Sequence, residues 1–203
     1  MEAGLVVLAG GVIGGRLGFV ALHLPYFTTR PIEIAWLWQG GLSWVGAALG
    51  ACAAVIAAGY LTGTSPWILA DALSVPVAVV ALASWTGCLV DACAFGRPVV
   101  GASWAPAAYD SFGFLARRWP TQASGMILSG ALLAGLLRRD GWNLPPGALG
   151  AGTLAAVAAL MTMLSLTRGD PSMLIGRWRI DTVAGAGIFL AAVVTALVRR
   201  RPA

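Results

Sequence analysis

The sequence predicts an all-α fold, a polytopic membrane helix bundle of about six transmembrane helices with one interfacial arm. Three observations predict it. The 203 residues are 59% hydrophobic and only 10% charged, whereas ordinary soluble domains carry about 25% charged residues. The mean hydropathy is +0.83. The apolar residues fall in runs of the ~20 residues that one span needs, separated by short stretches where arginine, proline and tryptophan collect. A soluble core of this size has no room for that much apolar surface, so residues 1–203 read as a single integral membrane domain.

The first span covers about residues 3–22. Gly10, Gly11, Gly14, Gly15 and Gly18 give it overlapping GxxxG steps. In lipid no hydrophobic force drives helices together, and such steps let two backbones approach closely instead. Arg16 lies inside this span, where a charge facing lipid costs about 2.5–3.5 kcal/mol. It is therefore expected to face the bundle interior or a wet cavity.

Residues 23–39 hold Pro25 and Pro31 and read as the interfacial arm, with Tyr26, Trp36 and Trp38 at headgroup level. Gly40-Gly41 forms a hinge into the second span, about residues 41–61, whose Gly46 and Gly50 make another GxxxG step. The third span runs from about 67 to 95, and Pro76 is expected to kink it, because a proline inside a helix clashes with the carbonyl four residues earlier. Asp71 is expected at its inner end as a first-turn acid.

Residues 96–120 form the longest polar connection, containing Arg97, Tyr109, Asp110, Arg117 and Arg118. Span four covers about 121–137 and ends in Arg138-Arg139-Asp140. Span five covers about 147–166, opened by Pro145-Pro146. A second polar loop follows at 168–179. Span six covers about 180–198 and closes with Arg199-Arg200-Arg201.

The net charge of +5 comes entirely from arginine, since the chain has no lysine. This suits the phosphates of anionic lipids, which guanidinium groups bind bidentately, although a base-composition bias of the genome would give the same usage. No soluble basic face exists to present to nucleic acid. Placing the C-terminal arginines in the cytoplasm puts Arg138-Arg139 and the N-terminus inside as well. The remaining loop arginines then fall outside, against the usual positive-inside trend. One explanation is that the outer arginines grip lipid phosphate. Cys52, Cys88 and Cys93 form no metal or redox spacing. Cys88 and Cys93 are five apart, which shares no helical face, so they are expected to pack as small apolar residues.

At several blocks the chain resembles the bacterial prolipoprotein diacylglyceryl transferases. Gly14-Gly15-Arg16-Leu17-Gly18-Phe19-Val20 is similar to the family's Gly-Gly-Arg-(Ile/Leu)-Gly-Tyr-Val. Pro31-Ile32-Glu33-Ile34 and Trp38-Gln39-Gly40-Gly41-Leu42-Ser43 resemble its arm and the start of its next helix. Leu69-Ala70-Asp71, Phe95-Gly96-Arg97-Pro98, Arg118-Trp119-Pro120-Thr121-Gln122 and Ile175-Gly176 follow in the family's order. The resemblance covers the chain from about Gly4 to Arg201, and the family's usual first span has no counterpart upstream.

The chain also departs from the pattern. Val45 stands where the family has a histidine. In the segment aligned with the family's Gly-Arg-(Ile/Leu)-Gly-Asn-Phe-Ile-Asn-Gly-Glu, Trp85 replaces the arginine, Cys88 the first asparagine and Cys93 the glutamate. Met161 stands at a further arginine position of the family, and only the trailing Arg168 matches there.

The resemblance implies transfer of diacylglycerol from phosphatidylglycerol to the cysteine thiol of a lipoprotein precursor, in the bacterial inner (cytoplasmic) membrane, with no cofactor and no metal. Such chemistry needs cations around a phosphate and a base or positive field for a thiol of pKa about 8.5. It assigns Arg16, Gly96, Arg97, Arg118 and Gln122 to substrate binding. Asp91, the one acid at the outer end of span three, becomes the candidate catalytic base, or else the partner of Arg97 in a structural ion pair. The alternative is a catalytically degenerate member, a lipid-binding or assembly subunit working with another membrane protein.

Overall fold

The computed structural model describes residues 2–139 and 143–200. Asp140 and Arg201, expected at the ends of spans four and six, lie outside the described residues. The chain divides into two compact units, Met1–Ala70 and Asp71–Ala203.

In the first unit, α1 (Glu2–Leu22) and α3 (Trp44–Thr62) pack antiparallel. Gly10 lies over Gly50 and Ala54, Gly14 over Gly46 and Gly50, and Gly18 over Gly46 and Ser43. A Cβ on Gly14 would sit 2.5 Å from the Gly46 carbonyl oxygen, and a Cβ on Gly46 or Gly50 would collide with the α1 backbone. The expected GxxxG steps are thus the crossing point of the two helices, where only glycine permits backbone contact. The Ser43 hydroxyl caps α3 by accepting from the Gly46 amide at 3.3 Å, and the Ser43 amide donates to Gly15 O at 2.9 Å. Between the helices the arm folds as α2 (Leu24–Phe27) and two 3₁₀ turns, Pro31–Ala35 and Leu37–Gln39. Trp36 and Trp38 stack at 6.2 Å.

The third expected span is broken. α4 (Pro66–Ala72) and α5 (Ser74–Val90) meet at Leu73 with a bend of 47°. Pro76 explains the place, because its ring clashes with the carbonyl of Ala72, four residues earlier, which is where α4 ends. α5 also stops at Val90 rather than reaching Phe95.

The second unit contains α5, α6 (Thr121–Leu137), α7 (Ala148–Ser165) and α8 (Ile180–Arg200), with two small hairpins between them. β1 (Ala107–Tyr109) pairs antiparallel with β2 (Leu115–Arg117), and β3 (Leu174–Ile175) with β4 (Trp178–Arg179). The core is Trp85, Ala94, Leu160 and Leu164, joined by Cys88, Met126 and Met161. Trp85 lies flat against Gly125, where any side chain would collide with its ring. Between α7 and α8 the buried hydroxyls of Ser165 and Thr182 bond at 2.8 Å. Asp71 reaches across to α7 and accepts from the Gly147 and Gly150 amides, both at 2.7 Å. It satisfies two of the free amides at that helix start.

Among the described residues four helices (α1, α3, α7 and α8) are each long and apolar enough to cross a membrane, the α4–α5 pair reaches that length only as a bent span, and α6 is a shorter apolar helix of 17 residues. The six apolar segments expected from the sequence are all helical.

Candidate functional site

In the second unit the C-terminus of α5, the N-terminus of α6, the C-terminus of α7 and the N-terminus of α8 lie at one end. Three extended segments cross there. The Arg97 amide donates to Thr167 O at 2.9 Å and the Gly169 amide to Phe95 O at 2.7 Å. On the other side, the Val99 amide donates to Arg117 O at 2.8 Å and the Trp119 amide to Arg97 O at 3.0 Å. With β1 beyond β2, these strands make a narrow platform over the helix ends. Gly96 sits at the crossing, and a Cβ there would run into the Trp119 carbonyl.

Arg118 is 4% exposed and is engaged by the protein itself. Its Nη2 donates to Asp110 Oδ2 at 2.8 Å and to Phe114 O at 3.4 Å, its Nε to Ala108 O at 3.3 Å and its Nη1 to Gly96 O at 3.4 Å. Its guanidinium also lies 5.0 Å from the Phe95 ring centroid. Asp110 Oδ1 accepts from the Phe112 and Phe114 amides, both at 2.9 Å, which closes the β1–β2 turn. Burial pushes the Asp110 carboxyl up, but those two amides and Arg118 outweigh it and hold its pKa below the ordinary value.

Gln122, at the start of α6, donates from Nε2 to Cys88 O at 3.0 Å and Cys93 O at 2.7 Å. It thereby ties down the end of α5. That end is a Schellman turn: the Cys93 amide bonds Cys88 O at 3.0 Å, and Ala92 takes the left-handed conformation with φ of +52°. The turn overturns the expectation for the cysteines. Cys88 and Cys93 form a disulfide, with Cα atoms 4.6 Å apart. Five residues separate two faces only on a continuous helix. Here the helix stops at Val90 and the chain turns back.

Arg97 is exposed on the platform, with Nη2 donating to Leu166 O. Asp91 is exposed at the cap of α5, and its carboxylate has no hydrogen bond or ion pair among the described residues. The two therefore do not form the ion pair that was one of their expected roles. A second charged cluster borders the platform. Arg168 bonds Asp170 through Nε at 2.8 Å and Nη2 at 2.5 Å. Arg179 reaches Asp170 at 3.2 Å and Asp181 at 3.8 Å. Burial raises the Asp170 carboxyl, yet Arg168 and Arg179 bring it below its ordinary value. Burial lowers Arg168, and its acids raise it further than burial lowers it. Arg177, at the β3–β4 turn, is exposed and stacks on Trp178 at 5.8 Å.

Arg16, in the first unit, is 6% exposed. It donates through Nε to Ile34 O at 2.8 Å, Nη2 to Glu33 O at 2.6 Å, and Nη1 to Gly40 O at 2.7 Å and Gly41 O at 3.1 Å. It faces inward, as expected for a charge in a span, and clasps the arm.

Sequence reasoning gave no role to Asp110, Asp170 or Asp181, nor did it pair the cysteines. Asp110 carried a usable signal, since an aspartate three residues before Gly113 suits a turn. The other partners come from distant segments, and no local pattern announces them. Among the described residues no group of His, Cys, Asp and Glu could hold a metal ion.

Comparison with known proteins gives a consistent picture. The family model described as prolipoprotein diacylglyceryl transferase matches residues 1–198. The phosphatidylglycerol–prolipoprotein diacylglyceryl transferase of Rhodospirillum centenum is 31% identical over 131 residues, covering 64% of this chain and 47% of that protein. The protein of the same name from Paramagnetospirillum magneticum is 34% identical over 145 residues, covering 69% of this chain and 53% of that one. The Bordetella avium protein of that name is 29% identical over 173 residues, covering 82% and 63%. The chain thus spans about half the length of the first two relatives and under two thirds of the third.

Proposed function

We propose, for a chain that belongs to the prolipoprotein diacylglyceryl transferase family, that it transfers diacylglycerol from phosphatidylglycerol to the cysteine thiol of a lipoprotein precursor in the bacterial inner membrane. The match over nearly the whole chain carries this reading. In the reaction the cysteine sulfur attacks the glycerol carbon that bears the phosphate. A carbon–sulfur bond forms, the carbon–oxygen bond breaks, glycerol phosphate leaves, and the thiol proton passes to a base.

The arrangement at the hairpin end suggests how this chain's residues share the work. Arg97 is an exposed cation beside the strand crossing and binds the phosphate, stabilising the charge that grows on the leaving group. Its positive field also lowers the thiol pKa. Asp91 is the unpartnered carboxylate near it in sequence and takes the thiol proton. Gly96, Arg118 and Gln122 act as positioning residues: Gly96 lets the strands cross, Arg118 locks the hairpin beside Arg97, and Gln122 fixes the turn that presents Asp91. Arg16 holds the arm. The Cys88–Cys93 disulfide supports placing this end outward, since disulfides persist in oxidising compartments.

The test is a lipidation assay with membranes rich in this protein, phosphatidylglycerol and a lipobox peptide. The peptide is expected to gain the mass of one diacylglyceryl group. Arg97→Gln should lower the rate by about 100-fold or more, and Asp91→Asn should shift its pH profile. Absence of the mass gain in the wild-type membranes would sink the proposal.

A further inference from the structure

A second site lies at the other end of the second unit. A cleft of about 380 Å³ opens between α6 and α7, lined by Leu132, Gly135 and Leu136 on one side and Leu149, Gly152 and Thr153 on the other. Arg200, from the end of α8, stands on its wall. We infer that this cleft is a binding site for an anionic phospholipid, separate from the transfer site.

Three observations converge on that ligand. The walls are apolar, and both glycines leave open space: a Cβ on Gly135 or Gly152 would touch nothing within 4 Å. A hydrocarbon chain fits such a lining. Thr153 is 4% exposed, and its Oγ1 is buried without a hydrogen-bond partner. A buried hydroxyl without a partner costs about 1–3 kcal/mol, and an acyl chain alone would leave it so. Thr153 lies five residues into α7, about 7 Å below the helix start at 1.5 Å per residue. That depth is where the ester oxygens of a lipid sit when its phosphate is at the helix ends.

The helix ends supply the cations. Arg200 is exposed and has no carboxylate or carbonyl partner among the described residues. Arg138 and Arg139 follow the last turn of α6, and Arg139 Nη1 is buried without a partner. The acid at this end, Asp71, already has both oxygens on the Gly147 and Gly150 amides. An anionic lipid phosphate at the mouth beside Arg200, an ester oxygen against Thr153 and one acyl chain along Gly135 and Leu132 would meet these features together.

Native mass spectrometry of the full chain, in detergent micelles doped with phosphatidic acid or phosphatidylcholine, tests the site. Phosphatidic acid is expected to be retained and phosphatidylcholine lost. Arg200→Gln should weaken retention on the order of fivefold, and Gly135→Leu, which fills open space without a clash, should abolish it. Equal retention of both lipids, or undiminished phosphatidic acid on Gly135→Leu, overturns the inference. Inorganic phosphate should not compete; if it displaces the lipid, a headgroup-only site replaces the cleft. Arg97→Gln separates the two sites, since it should lose transfer and keep the lipid, while Gly135→Leu should do the reverse.

Discussion

Two arginines are buried to a similar degree and are held in opposite ways. Arg16 is surrounded by four backbone carbonyls of the arm, with no carboxylate among its partners. Arg118 is held by a carboxylate, Asp110, with carbonyls completing its shell. Arg16 belongs to a helix long and apolar enough to span a membrane, where an acid partner would add a second charge to bury. Neutral dipoles satisfy its donors without that addition, and because they come from consecutive turns of one segment they fix that segment's path. Arg118 lies in a polar connection, where an acid is tolerated and also builds the hairpin turn. The first arrangement fixes a backbone and ignores pH. The second couples a fold element to the ionisation of one carboxylate.

The sharpest way to break this contrast is Arg16→Leu. It leaves the carbonyls of Glu33, Ile34, Gly40 and Gly41 without their donor and should cost about 3 kcal/mol or more. Thermal unfolding in detergent should show the loss, and protease should nick residues 23–43. Arg16→Lys should recover only part of it, because an ammonium cannot reproduce the guanidinium fork. A loss confined to Arg16→Leu, with Lys fully stable, would show that charge rather than fork geometry matters.

Arg118→Gln is expected to have a smaller effect, because the Phe112 and Phe114 amides still hold Asp110. The β1–β2 hairpin should loosen, seen as faster amide exchange across residues 107–117, with the helices unaffected.

Acid should separate the two arginines further. The folded Asp110 pKa lies below its ordinary value. Its contribution is therefore fully present above the unfolded pKa and is lost as pH falls through the lowered folded value. Hairpin exchange should rise in that window in the wild type and stay flat in Asp110→Asn, while the partners of Arg16 are backbone carbonyls that carry no proton to gain. Asp170 carries the same sign and should add to the acid loss at the second hairpin. The smallest effect is expected for Arg30→Gln. The exposed Arg30 pairs with a partly buried Glu33 at 3.5 Å, and pairs with one partner open to solvent contribute little. Unchanged arm proteolysis in this variant would leave Arg16 as the clasp.

Much of the fold was legible. The glycine spacing in α1 and α3 marked faces fit for close approach, since that depends on a missing Cβ at each position, and the structure shows that the two faces meet each other. Pro76 marked a kink, and the break at Leu73 follows from the reach of its ring to Ala72. The cysteines show where such reading stops. Their spacing was measured along a helix assumed to continue, whereas α5 ends at Val90 and a left-handed Ala92 turns Cys93 back. The acceptors of Gln122 and Arg118, the Cys88 and Cys93 carbonyls, Asp110 and Gly96, come from other segments of the chain, and no local pattern pairs them with these side chains. Trp85 stands at a polar position of the family and fills the core against Gly125.

By itself the amino-acid sequence determined the membrane class, the six apolar segments, the arm and the glycine faces open to close approach, because hydropathy, proline and glycine act through the residue itself and its near neighbours. Only the tertiary structure decided which arginine is buried and which is exposed, which cysteines join, and where the cleft lies. Those outcomes depend on where distant backbone carbonyls and carboxylates come to rest, and that is set when segments 95–99, 115–119 and 166–169 cross.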